Sequence, residues 1–102
     1  MSILHTVNKS PFEKMSLDSC IDHVKGESAV LLYEDGVYAA LKGTGAAEKL
    51  ASVMETTKVY MLGPDVKARG LAADKLLEGV EVVDYAGFVD LAAEYDKVLA
   101  WV

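Results

Sequence analysis

Hydrophobic side chains gather in five short runs along this chain, at residues 3–7, 29–33, 58–62, 80–83 and 98–101. Each run is dominated by valine, leucine, isoleucine or an aromatic residue, so each reads as a buried strand. Between the runs, apolar residues recur at the spacing of a helix face. Strands that alternate with helices specify parallel pairing, because a parallel connection must travel back along the strand and a helix does so while covering the sheet. The pattern predicts an α/β fold: one three-layer α/β/α domain over residues 1–102, Rossmann-like, with a mainly parallel sheet of about five strands.

The helices are specified unevenly. The first has the clearest entry, with Ser10 as cap, Pro11 at the first helical position and Glu13 closing a Ser-x-x-Glu capping box. Leu17, Cys20, Ile21 and Val24 then form one stripe, with Asp18, Asp22 and Lys25 off it, and Gly26 ends the helix. A second helix is predicted over residues 46–55 with Leu50, Val53 and Met54 inward, preceded by a short helical turn at 37–41. Residues 65–77 read as helical but Gly70 divides them into two pieces. The last helix is predicted over 88–95, with Phe88, Leu91, Ala92 and Tyr95 at helical spacing. Asp35-Gly36 predicts a turn after the second strand, with Gly36 at positive φ.

Composition narrows the function classes. At 102 residues the chain is too short for two independent cores, and 52% hydrophobic residues suffice for one. No apolar run approaches the roughly 20 residues a membrane helix needs, and the N-terminus lacks a basic region followed by a long apolar stretch. The expected location is the cytoplasm. Cys20 is the single cysteine, so it forms no internal disulfide, in keeping with a reducing compartment. A formal charge of −6 and a pI near 4.7 oppose direct nucleic-acid binding. The acidic residues are spread along the chain, which reads as an ordinary solvated surface.

Ligands of parallel sheets gather at the carboxyl ends of strands, which directs attention to Asn8-Lys9-Ser10-Pro11, Glu34-Asp35-Gly36, Gly63-Pro64-Asp65 and Asp84-Tyr85-Ala86-Gly87. None is a phosphate loop, which weakens a flavodoxin-like nucleotide binder. Gly43-Thr44-Gly45 begins like a dinucleotide fingerprint, but Glu48 occupies the place of the third glycine, and a turn is the better reading. Glu34 and Asp35 form a candidate carboxylate pair, against which stands the ordinary use of Asp-Gly in turns. His5 and His23 show no zinc-site spacing; His5 reads as a packed or hydrogen-bonded strand residue. No metal or cofactor site is expected.

Cys20 is the candidate covalent centre, since sulfur transfer requires a reachable thiolate. It lies about ten residues past the Ser10 cap, beyond the reach of the positive helix end, and between Asp18 and Asp22, whose charge disfavours ionisation; His23 is the one nearby helper. The alternative role is a small apolar core residue. Its place at the edge of the stripe leaves partial exposure open.

Several segments together resemble the DsrH/TusB family: Ile3-Leu4-His5-Thr6-Val7-Asn8-Lys9-Ser10-Pro11-Phe12 followed by Cys20; Val30-Leu31-Leu32-Tyr33-Glu34-Asp35-Gly36-Val37-Tyr38-Ala39-Ala40; Leu62-Gly63-Pro64-Asp65-Val66-Lys67-Ala68-Arg69-Gly70; and Val82-Val83-Asp84-Tyr85-Ala86-Gly87-Phe88-Val89-Asp90-Leu91. The resemblance runs nearly end to end and is closest to the DsrH branch of sulfur-oxidising bacteria. It implies a DsrE-like fold and a heterohexamer, two copies each of DsrE-, DsrF- and DsrH-like chains, that handles sulfur as protein persulfide. It implies exchange with a DsrC-like protein in sulfur oxidation or, in the TusB-type alternative, relay through a TusE-like protein toward thiolation of a tRNA wobble uridine. The principal acceptor cysteine of such complexes belongs to the DsrE/TusD-like chain. Cys20 matches the cysteine position of the DsrH branch, which makes it a candidate persulfide carrier, secondary to the sister-chain thiol. The competing expectation is a sulfurtransferase in its own right through Cys20.

Overall fold

The structure, a computed structural model, describes residues 2–11, 20 and 28–101. Five strands, β1 (Ile3–Val7), β2 (Ala29–Leu32), β3 (Lys58–Leu62), β4 (Glu81–Val83) and β5 (Lys97–Trp101), form one sheet in the order β4-β3-β2-β1-β5. Every pairing is parallel. Each apolar run is a strand to within one residue, and helices lie on both faces, so the α/β/α expectation holds.

The helices are α1 (Gly45–Val53), α2 (Gly63–Ala68) and α3 (Tyr85–Glu94), with 3-10 turns at Glu34–Ala40 and Ala73–Lys75. Thr44 caps α1, its Oγ1 accepting from the Ala47 amide at 3.1 Å and donating to the Leu41 carbonyl at 2.8 Å. Gly70, at φ +67°, separates α2 from the following 3-10 turn, which gives the two pieces expected over 65–77. α3 starts three residues earlier than its apolar spacing indicated. Asp84 explains the difference: its Oδ1 accepts from the Gly87 amide at 2.8 Å and so caps a turn that precedes the buried stripe. The helix expected between Ser10 and Gly26 lies outside the described residues except for Cys20, which has helical backbone.

Chain direction sets the layers. The connections from β1 to β2, β3 and β4 advance one strand at a time, whereas the last returns across the sheet to β5. Right-handed crossovers moving in opposite directions must lie on opposite faces. One face accordingly packs Val7, Val30, Leu32, Val59 and Met61 against Leu50 of α1, Val66 of α2 and Cys20. The other packs Leu4, Ala29, Leu31 and Tyr60 against Leu91, with Phe88 and Tyr95 of α3 alongside.

The expectation that all five strands are buried fails for two of them. β1, β2 and β3 are almost wholly buried, but every residue of β4 and β5 keeps some exposure, and Val82, Val98 and Leu99 are exposed. The reason is position in the sheet: β4 and β5 are its two edges. An apolar run specifies a strand without specifying how many neighbours cover it.

Candidate functional site

The carboxyl ends of β1, β2 and β3 are tied into one ridge. The Tyr33 amide donates to the Val7 carbonyl at 3.1 Å, and the Gly36 amide to the Tyr33 carbonyl at 2.9 Å. The Glu34 amide donates to Asp65 Oδ2 at 2.6 Å, which joins the β2 loop to the start of α2. Arg69 completes the ridge: its Nε donates to Asp35 Oδ1 at 2.9 Å and its Nη1 to the Asp65 carbonyl at 3.3 Å. The hydrogen bond that the guanidinium donates to Asp35 holds it above its ordinary pKa.

This geometry decides the Glu34-Asp35 question in favour of the turn. The Asp35 carboxylate accepts from Arg69 and the Glu34 amide is held by Asp65, so both residues are engaged in fixing the turn. The positive φ expected at Gly36 falls instead on Glu34, at +48°. Gly36 is required for another reason: a Cβ there would stand 2.1 Å from the Val7 carbonyl oxygen. Arg69 was not singled out in the sequence; its place four residues after Asp65, on the same side of a short helix, was the available signal.

The other candidates separate. Gly43, at φ +82°, and the Thr44 cap form a turn into α1. His5 is buried, and its Nδ1 accepts from Trp101 Nε1 at 3.0 Å, so it is the hydrogen-bonded strand histidine that its position suggested. An indole nitrogen only donates, which fixes the proton of a neutral His5 on Nε2. His23 lies outside the described residues. Among the described residues, no group of three or more His, Cys, Asp or Glu side chains could hold a metal ion, and no helix is long and apolar enough to cross a membrane.

Cys20 belongs to the interior. Its relative exposure is 0%, it packs in the cluster with Val7, Val30 and Leu50, and burial pushes its thiol from an ordinary 9.0 up to about 12. The partial exposure left open by its place on the stripe is absent. A thiol in this setting is almost wholly protonated at neutral pH and out of reach of a protein partner until the surrounding packing moves.

Comparison with known proteins agrees with this architecture. The family model of DsrH-like proteins matches residues 9–98. The chain is 35% identical over 99 residues to Protein TusB of Pectobacterium parmentieri, covering 97% of this chain and 100% of that one, and 35% identical with the same coverage to Protein TusB of Erwinia tasmaniensis. Among solved structures, the ychN protein from E. coli superposes with a TM-score of 0.79 at 21% identity, covering 98% of each chain. A protein of unknown function from Methanobacterium thermoautotrophicum, MTH1491, reaches 0.70 at 16% identity and 96% coverage of each. Those two likenesses concern the fold; the family model and the full-length relatives show that the chain belongs to the DsrH/TusB family of sulfur-relay subunits.

Proposed function

We propose that this chain is a structural and interaction subunit of a cytoplasmic heterohexameric persulfide-relay complex, assembled with DsrE-like and DsrF-like sister chains and exchanging sulfur with a DsrC-like protein. The observation that carries this reading is the burial of Cys20, the only cysteine, with a thiol pushed up to about 12. Relay passes a sulfane sulfur when a thiolate attacks the terminal sulfur of a persulfide and the displaced thiolate departs, with no net redox change. Cys20 is poorly placed to supply that thiolate at neutral pH, so the main acceptor is a sister-chain cysteine and Cys20 is a secondary carrier at most.

The test uses complexes reconstituted with the parent chain, Cys20→Ser and Cys20→Ala. Both variants are expected to assemble and to lose only a modest part of persulfide transfer to the DsrC-like acceptor. Intact-mass analysis after treatment with a polysulfide, whose sulfane sulfur passes to a thiolate with no net redox change, is expected to place the added sulfur on the sister chain. Abolished transfer by a fully assembled variant would make this chain the essential sulfurtransferase. A chain that stays monomeric beside its sister subunits would remove the relay reading altogether.

A second reading is supported by the relatives named TusB: a subunit that relays sulfur through a TusE-like protein toward thiolation of a tRNA wobble uridine. The net charge of −6 fits a role in that relay without direct contact to the tRNA. Acceptor preference of the reconstituted complex, DsrC-like against TusE-like, separates the two.

A further inference from the structure

From Leu76 to Asp96 the chain carries six carboxylates, Glu78, Glu81, Asp84, Asp90, Glu94 and Asp96, and no lysine or arginine. The remainder carries ten acidic and ten basic side chains, so the formal charge of −6 belongs to this one segment. The acidic residues are spread along the chain as the sequence indicated; the basic ones are excluded from this stretch.

Folding turns the segment into a surface. It forms β4 and α3; α3 exposes Tyr85 (61%) and Val89 (67%), while Val82, level with Met61 in the strand register, is exposed toward the other face of the sheet. Tyr85 and Val89, four residues apart, make an apolar ridge on α3. Beside the start of that helix lies a shallow groove of about 490 Å³ lined by Gly63, Pro64, Val82, Val83, Asp84 and Gly87. Glu81, Asp84, Asp90 and Glu94 are exposed on the same two elements, and among the described residues none of them forms an ion pair. Glu78 reaches Lys42 at 3.9 Å, and Asp96 is engaged by Ser2.

We propose that the β4–α3 surface docks a protein partner whose contacting face is apolar at its centre and rimmed by lysine or arginine. Exposed apolar groups gain by leaving water, and the unpaired carboxylates on the same helix and strand gain from opposite charge at the rim. The same charge argues against the other occupants. A second copy of this chain would set one −6 segment against another, and a nucleic acid would bring phosphates to carboxylates. The choice of a protein occupant rests on the relay reading, which supplies sister and carrier chains; the surface itself needs no sulfur chemistry.

The test is an NMR titration of the isotope-labelled full chain with a synthetic amphipathic helix of lysine and leucine, beside a control helix of glutamate and leucine. The lysine peptide is expected to move resonances centred on Tyr85 and Val89 of α3, with binding that weakens as salt is raised. Reversing charge with Asp90→Lys and Glu94→Lys together should weaken it about tenfold, while Glu48→Lys with Glu55→Lys, also at exposed positions, leaves it unchanged. Shifts centred elsewhere, equal binding of the glutamate peptide, or self-association of the chain through the same residues would overturn the proposal. Failure of the relay reading is recorded separately, as a chain that does not assemble with its sister subunits.

Discussion

On one face of the sheet, side chains from β1, β2 and β3 meet Leu50, Val66 and Cys20, and those residues are buried almost to the last atom. On the other, α3 covers Leu4, Leu31 and Tyr60 with Leu91, flanked by the partly buried Phe88 and Tyr95, while its own Tyr85 and Val89 face water. The forward crossovers that carry α1 and α2 serve the first face, and the return crossover that carries α3 serves the second. The unequal faces therefore follow from strand order, and they divide the labour: one side is suited to stability and to hiding the thiol, the other offers an uncovered apolar surface beside the molecule's net charge.

The hardest way to break the well-packed side is at its carboxyl ridge. Gly36→Ala adds one carbon where the Val7 carbonyl oxygen already stands, and a backbone oxygen bound into the sheet cannot move aside as a side chain can. Chemical denaturation should show a loss of about 3 kcal/mol or more. Unchanged stability would mean that the ridge is loose and the two faces less different than they look.

Equal deletions on the two faces sharpen the contrast. Leu50→Ala removes a side chain with 0% exposure from a site enclosed by α1 and the sheet, and should cost about 3 kcal/mol. Leu91→Ala, at 8% exposure under a single helix, should cost about 2 kcal/mol, because the thinner layer can relax into part of the space. A larger loss at Leu91 would reverse the assignment of which side holds the fold together.

Alkaline pH tests whether Cys20 is truly inside. Burial raises its folded pKa from 9.0 to about 12, so between those values the native state retains a proton that the unfolded chain has released. The resulting stability is complete below pH 9 and is lost as pH rises toward 12. The parent should lose stability faster than Cys20→Ala across that window, and react with a thiol reagent only as fast as it opens. Parallel curves would place the thiol in water and revive the sulfurtransferase alternative.

The smallest effect belongs to the thinner face. Burial raises the pKa of both Tyr60 and Tyr95, which pack in the same cluster. Tyr95→Phe removes one hydroxyl at a partly buried site while keeping the ring, and should cost no more than about 1 kcal/mol by thermal unfolding.

Local rules were enough for most of the elements themselves. Val30 to Leu32 read as a strand and Gly70 as a break in a helix because each depends on neighbours within a few residues, whereas the apolar stripe alone missed the Asp84 cap and placed the start of α3 three residues late. Family membership was legible for a related reason, because its motifs are contiguous stretches. What the sequence did not decide is everything that depends on residues far apart along it. Leu99 and Leu31 look alike in their runs, yet one sits on an edge strand and the other at the centre, and only the order β4-β3-β2-β1-β5 separates them. The link from Arg69 to Asp35, 34 positions apart, and the close approach of Gly36 to Val7 likewise exist only once parallel strands align their carboxyl ends. Cys20 is the plainest case: its helical stripe could be written from the sequence, but whether a thiol at the edge of that stripe meets water or a wall of Val7, Val30 and Leu50 depends on how deeply the sheet and helix pack, a property of the assembled core alone.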